Sequence, residues 1–167
     1  AFPADAVVLA SGGLGQIYAP KTTCSTNSTG AAACRVYQQG AWFANAEFFQ
    51  FHPTAMLGSD KTRLMSEAAR GEGGRVWVPR DPGDQRTPNR IPSQDRFYFL
   101  EEFFPAYGNT VARDEAARAI WRVTHQMGLG IRGENRVYLD LTHLDKDFVS
   151  RRLGAILDIY RKFAGVD

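Results

Sequence analysis

Charge is spread very unevenly along this 167-residue chain. Residues 1–58 carry only Asp5, Lys21, Arg35 and Glu47, and the rest of the 20 basic and 18 acidic side chains lie beyond them. A stretch so poor in charge does not make an ordinary solvated surface, so the first third reads as the interior of something larger. Its opening agrees: Ala1-Phe2-Pro3 has no initiator Met, and Ala6-Val7-Val8-Leu9-Ala10 is a continuous apolar run of the kind that forms a strand covered on both faces. Such a strand needs neighbours on either side, and the chain is therefore expected to be a piece of a longer protein.

Composition removes several classes. A hydrophobic content of 44% with 16 Gly and 8 Pro allows a packed core and excludes disorder and collagen-like repeats. Cys24 and Cys34 have no metal-ligand spacing and read as two reduced thiols, so neither a disulfide framework nor a metal site is expected. The net charge is +2 with acids and bases interleaved, which gives no nucleic-acid footprint. No apolar run approaches the ~20 residues that cross a bilayer, and no signal segment opens the chain, so soluble material is expected. Asn27-Ser28-Thr29 matches a glycosylation acceptor, which carries no weight without secretion.

After the apolar run, Ser11-Gly12-Gly13-Leu14-Gly15 forms a turn. It lacks the G-x-G-x-x-G spacing of a dinucleotide fingerprint, and a plain tight turn weighs as much as a cofactor contact. Ser28 or Thr29 caps a helix over Ala31–Gln39 that stops at Gly40. Glu47–Phe51 reads as a strand ending at His52-Pro53, and Ser66–Arg70 as one or two helical turns broken by Gly71, Gly73 and Gly74. Arg75–Val78 is a strand, Pro79–Pro92 a loop, and Ser93–Phe104 a helix ended by Pro105. Ala112–Met127 is a longer helix closed by Gly128, with Ala116, Ala117, Ile120, Trp121 and Met127 near one face. Arg136–Asp140 is a strand, and Thr142 caps a last helical region interrupted near Gly154 and ending at Gly165. Short strands mixed with helices, without regular βαβ alternation, predict an α+β fold.

The polar residues that merit weighing are His52, Ser66, Glu67, Arg70, Arg113, Asp114 and Arg118. Glu67 and Arg70 stand three apart, within ion-pair reach on a helix, and spacing alone favours an ordinary surface pair. Three glycines in the next four residues favour backbone wrapped against a ligand or another domain. His52 could donate to an anionic ligand, although a histidine bonded to backbone is the commoner outcome. Arg113-Asp114 at a helix start most simply places an acid in the first turn.

Taken in order, the segments resemble one family, the flavoprotein subunit of succinate dehydrogenase and fumarate reductase. The matching residues begin with Ala10-Ser11-Gly12-Gly13-x-Gly15, Ser25-Thr26-Asn27-x-x-Gly30-Ala31-Ala32, Tyr37-Gln38-Gln39-Gly40-Ala41 and Glu47-Phe48-Phe49-Gln50-Phe51-His52-Pro53-Thr54. They continue through Ser66-Glu67-x-x-Arg70-Gly71-Glu72-Gly73-Gly74, Arg113-Asp114, Val137-Tyr138-Leu139-Asp140-Leu141 and Phe163-Ala164-Gly165-Val166-Asp167. The Tyr37–Ala41 motif and the proline-rich loop look most like the bacterial succinate:quinone oxidoreductases.

That resemblance implies a hydride moving between flavin N5 and a carbon of succinate or fumarate, with a proton exchanged at the adjacent carbon. It implies Arg113 as the proton-transferring group, Glu67 and Arg70 as its relay to solvent, and His52 and Ser66 as ligands of a substrate carboxylate. Gly12, Gly13, Gly15, Asn27 and Gly30 match the parts that approach FAD. The family commonly has threonine where this chain has Ser66, and many members have an acid where it has Ala31. Residues 1–45 would be a strand-turn-helix segment of the FAD-binding domain, and residues 46–167 the capping domain that closes over the substrate. The implied partners are an iron-sulfur subunit and membrane-anchor subunits that pass electrons to quinone, with the flavoprotein cytoplasmic and peripheral on the inner face of the membrane.

The family's dinucleotide fingerprint, flavin-linking histidine, second substrate histidine and second substrate arginine have no match in this chain, which by itself is expected neither to hold FAD tightly nor to oxidise succinate. Two rivals stand beside this reading. L-aspartate oxidase shares the H-P-T and E-x-x-R-G-E-G patterns, and Tyr37-Gln38-Gln39-Gly40 with the long Pro79–Pro92 loop speaks against it. The other rival is a non-catalytic cap that merely packs on partners.

Overall fold

The structure, a computed structural model, describes residues 2–19, 21–56, 58 and 62–164. It divides into two compact units, one made of Ala1–Phe49 and Ala55–Arg63, the other of Gln50–Thr54 and Leu64–Asp167.

In the first unit the regular elements are a 3₁₀ turn at Gly15–Tyr18 and helix α1 (Ala31–Gln38). Thr29 Oγ1 accepts from the Ala31 amide at 3.3 Å just ahead of the helix. Its end is a Schellman motif: Ala41 N–H donates to Val36 O at 3.2 Å and Gly40 N–H to Tyr37 O at 2.9 Å. Gly40, with φ +95°, supplies the left-handed residue that this closure requires. Two-residue strands β1 (Ala55–Met56) and β2 (Arg63–Leu64) flank the intervening stretch.

The expected strand at Ala6–Ala10 is not formed. Those residues run without a ladder partner among the described residues and lie exposed, Val7 and Val8 each at 88%. Apolar character alone does not make a strand, because its backbone groups need a neighbouring chain to bond. Glu47–Phe51 is likewise no strand. Asn45, at φ +54°, and the 3.1 Å bond from Phe48 N–H to Asn45 O close a turn there instead.

The second unit is an α+β body. Strands β3 (Arg75–Pro79), β4 (Arg96–Phe97) and β5 (Tyr138–Asp140) form an antiparallel sheet in the order β4-β3-β5, with Val78 opposite Phe97 and Val76 opposite Leu139. Around it run α2 (Ala68–Gly71), α3 (Phe99–Phe103), α4 (Arg113–Trp121) and α5 (Lys146–Ala164). The central strand is covered on both faces. Val76 and Val78 join Phe97, Phe99, Leu100 and Val111 in the main core. Trp77 turns the other way, 4.6 Å from the Tyr138 ring centre and beneath the Arg96 guanidinium at 4.5 Å. Each large apolar side chain buried this way contributes about 1.5–3 kcal/mol.

The expected helix over Ser93–Phe104 exists only as α3 at its far end. Ser93–Asp95 is a 3₁₀ turn, and Arg96–Phe97 is drawn into the sheet because pairing with β3 outweighs local helical preference. The buried stripe of α4 and its continuation is Ala116, Ala119 and Val123, with Trp121 and Met127 exposed, so the face expected through the last two is displaced toward Ala119. The helix changes to π geometry over Arg122–Gln126 before Gly128, at φ +67°, ends it. α5 is capped by Asp145, not Thr142: Asp145 Oδ1 accepts from Phe148 N–H at 2.8 Å, while Thr142 donates back to Asp140. It runs unbroken through Gly154, and its expected end at Gly165 lies outside the described residues. Among the described residues no helix is long and apolar enough to cross a membrane.

Candidate functional site

The second unit collects most of the candidate residues at the base of α2 and the start of α4. Ser66 Oγ accepts from Ala68 N–H at 3.3 Å and so starts the single turn of α2, which faces Glu67 and Arg70 toward α4. The glycines that follow serve the chain itself. Gly73 takes φ +105°, and a Cβ on Gly74 would strike the Ala69 carbonyl to which its own amide donates at 2.8 Å, so the pair lets α2 fold back into β3. The expectation that this stretch wraps a ligand therefore gives way at Gly73 and Gly74 to a tight turn.

Arg70 is not the surface partner its spacing suggested: it is 1% exposed. Its Nη1 donates to the carbonyls of Asn109 at 2.8 Å and Val111 at 3.3 Å, and its Nη2 lies 3.5 Å from Glu67 Oε1. Nε is buried with no hydrogen-bond partner among the described residues. Burial pushes the Arg70 guanidinium below its ordinary range, opposed by Glu67 and reinforced by Arg113.

Glu67 is the hub. Its Oε2 accepts from Arg113 Nε at 2.8 Å and from Arg113 Nη2, while its other oxygen faces Arg70. The Arg113 hydrogen bonds hold the Glu67 carboxyl below its usual range, and the same bonds push the Arg113 guanidinium up. Arg113 opens α4, and its Nη1 donates to Gln50 Oε1 at 3.2 Å. Asp114 and Arg118 do not join them: Arg118 pairs with Asp114 at 2.5 Å and with Glu115 at 3.1 Å on the exposed side of α4.

His52 stands beside this group. Its Nδ1 is 2.8 Å from the Thr54 carbonyl and 3.2 Å from the Thr54 amide, and its Nε2 is buried without a partner among the described residues. Burial pushes its pKa down, and the positive Arg113 and Arg70 push the same way against the Thr54 bond. A buried ring nitrogen without a partner among the described residues, near two guanidinium groups and a hydroxyl-bearing turn, suits an anionic guest when that nitrogen carries a proton. Sequence reasoning located His52, Ser66, Glu67, Arg70 and Arg113, and the structure brings His52, Glu67, Arg70 and Arg113 together. It missed Gln50 and Asn109. Gln50 lies inside the quoted Glu47–Thr54 motif, but no spacing rule singles it out.

The remaining candidates, Gly12, Gly13, Gly15, Asn27 and Gly30, belong to the first unit. Gly12 has φ +76°, and a Cβ at Gly12 or Gly13 would meet nothing within 4 Å, so bare backbone faces open space as close approach to a flat ring or a diphosphate requires. Gly15 and Gly30 are glycines for a nearer reason: a Cβ on the first would strike Cys24, and one on the second would lie 2.7 Å from Leu14 Cβ. Asn27 is exposed, with its carbonyl accepting from Thr29 N–H at 2.9 Å. The backbone at Gly12–Gly13 leaves room for a cofactor to approach, whereas Gly15 and Gly30 are accounted for by packing within the chain.

Comparison with known proteins points the same way. The family model of the FAD binding domain matches residues 1–167. The succinate dehydrogenase flavoprotein subunit of Bacillus subtilis (strain 168) is 53% identical, covering 99% of this chain and 26% of that protein. An uncharacterized FAD-dependent oxidoreductase of Methanocaldococcus jannaschii is 33% identical over 98% of this chain and 26% of its own length. L-aspartate oxidase 1 of Ralstonia nicotianae is 33% identical over 92% of this chain and 25% of its own. The chain thus spans about a quarter of the length of the curated relatives it matches. With a match that runs its full length, the chain belongs to the FAD binding domain family.

Proposed function

We propose that this chain is the part of a succinate dehydrogenase/fumarate reductase flavoprotein that carries the proton-transferring side of the active site. Residues 46–167 are the capping domain over the substrate, and residues 1–45 a segment of the FAD-binding domain. The observation that carries the reading is the Arg113–Glu67–Arg70 cluster beside His52 Nε2, a buried nitrogen with no partner among the described residues. When bound, near Gly12 and Gly13, FAD supplies the hydride acceptor.

The residues of this chain then have separable tasks. His52 Nε2 and the Ser66 hydroxyl bind a carboxylate of the dicarboxylate substrate. Arg113, held protonated by Glu67, gives a proton to the substrate carbon in fumarate reduction, and in succinate oxidation takes one after passing its own to Glu67. An arginine can do so only with a carboxylate placed to return the proton, which is the place of Glu67. Glu67, with its side chain 44% exposed, reaches water, and Arg70 completes the relay behind it. Electrons leave through an iron-sulfur subunit toward quinone, and attachment to the inner face of the membrane comes from partner subunits. The chain by itself neither retains FAD tightly nor turns over succinate.

A second reading, an L-aspartate oxidase-like flavoenzyme, is favoured only by the 33% identity to that enzyme. Both are tested on the full-length flavoenzyme. Arg113→Lys is expected to lower succinate-dependent dye reduction by about 10²- to 10⁴-fold, the usual range for a lost proton-transfer group. Full turnover in that variant overturns the assignment of Arg113. Aspartate-dependent oxygen consumption by the wild type, in place of succinate oxidation, selects the second reading.

A further inference from the structure

Arg70 owes its place to backbone more than to its carboxylate partner. The carbonyls of Asn109 and Val111 lie 2.8 and 3.3 Å from Nη1, against 3.5 Å between Nη2 and Glu67 Oε1. A buried guanidinium tolerates little movement of the groups that replace its water, because losing one leaves charge unpaired in a poorly solvated site. Whatever holds those carbonyls therefore holds Arg70, and through the shared Glu67 it holds Arg113.

Asn109 is placed to do this. It lies in the Gly108–Thr110 turn, its carbonyl toward Arg70 and its side chain toward the sheet. There Oδ1 accepts from Val76 N–H at 2.8 Å, in a part of β3 beyond the end of β4, which pairs only with Val78 and Pro79. Nδ2 donates to Glu101 Oε1 at 2.8 Å. Glu101 is in turn gripped by Arg75 Nε and Nη2, each at 2.7 Å, and the Arg75 guanidinium lies 3.6 Å from the centre of the Tyr98 ring. The turn carrying the Arg70 carbonyls is thus tied by one amide side chain to β3 and, through Glu101, to α3.

We infer that Asn109 is a positioning residue for the Arg70–Glu67–Arg113 relay, fixing through its side chain the carbonyl that holds Arg70; the inference rests on the proton-transfer reading of that relay. Its removal should slow the proton step without loosening substrate binding, since Asn109 touches neither Arg113 nor His52.

The test uses the full-length flavoenzyme. Asn109→Ala is expected to lower kcat for succinate about 10- to 100-fold, as a displacement of about 1 Å in a positioned group does. KM should stay within about twofold, the pattern of an interaction realised only in the transition state. The solvent deuterium isotope effect on kcat should rise, which a merely structural loss would not cause. In the Arg70→Lys background, Asn109→Ala should add little, because both changes act on one chain of contacts. Should Asn109→Ala fail to fold, Glu101→Gln keeps an oxygen for Asn109 Nδ2 while removing the charge opposite Arg75. It is expected to show the same split with a loss of about threefold, in line with the weaker neutral hydrogen bond. A wild-type kcat and isotope effect in the folded variant overturns the inference, as does a fall in kcat without a larger isotope effect. If Arg113→Lys is inactive and Asn109→Ala is not impaired, the inference alone falls; if Arg113→Lys retains full turnover, both fall.

Discussion

The two units of this chain differ in the reverse of the way their compositions suggest. The first is poor in charge, yet Thr22 is its only buried residue among those described, and Trp42 is 100% exposed. The second holds most of the charged residues and also every buried hydrophobic side chain of the described residues, from Ala69 to Leu153. Apolar content supplies the material of a core, but burial requires elements that present complementary faces to one another. In the second unit β3 lies between β4 and β5 with α3 and α4 against it; in the first, the run at Ala6–Ala10 has no described neighbour to cover it. Exposed apolar surface of that kind marks a contact surface, consistent with the proposed place of this segment within a larger FAD-binding domain.

The contrast can be broken by experiment. The largest effect is expected from Trp77→Ala, which removes the one large buried side chain that β3 turns toward Tyr138 and should destabilise the chain by about 3–5 kcal/mol in chemical unfolding. Val8→Ala should change stability by no more than about 0.5 kcal/mol in the same assay. A comparable loss in both variants would mean that the first unit has a core of its own. Next comes the pair of glycine substitutions. Gly74→Ala forces a Cβ against the Ala69 carbonyl and should cost about 1–3 kcal/mol, whereas Gly13→Ala, with open space around it, should leave the unfolding midpoint unchanged. Equal shifts would erase the distinction between a packed turn and an open one.

The smallest effect concerns pH and sharpens the picture of the second unit. His52 is held below its ordinary value of 6.5 chiefly by burial, with the Arg113 and Arg70 charges adding to it. A group whose folded pKa is depressed favours the folded state above the unfolded value, and that advantage is lost as pH falls through the folded value. The wild-type chain should therefore lose stability as pH drops below 6.5, and His52→Gln should flatten that part of the curve. Identical pH profiles would show that His52 is not shielded in the folded chain.

Parts of the fold were legible because local signals and tertiary environment agree. α1 closes at Gly40 as the sequence indicates, although Gly30 and not Ser28 or Thr29 stands at its N-cap, without a side-chain cap bond. β3 follows its pattern, and α4 with its π continuation fills the expected span with its buried face moved to Ala119. Where they disagree, tertiary contacts win. Arg96–Phe97 leaves a helical pattern to pair with β3, and Asp145 takes the cap expected of Thr142, which bonds Asp140 instead. The site shows the same division. The motif around Glu67 and Arg70 and the Arg113-Asp114 step were visible as residue types. That Arg70 is buried on two carbonyls, and that Gln50 receives Arg113, was not.

Sequence alone determined which groups are present and the local conformations they can adopt: glycine at the positive φ of residues 40 and 73, a hydroxyl to start α2, and a carboxylate three residues from an arginine. Tertiary structure decided which of those groups meet. Glu67 finds Arg113 46 residues away, Arg70 finds Asn109 39 residues away, and Val76 finds the Asn109 amide 33 residues away. Such pairings follow from the way the packed sheet, α3 and α4 bring distant segments side by side, and no local pattern records which groups will then meet.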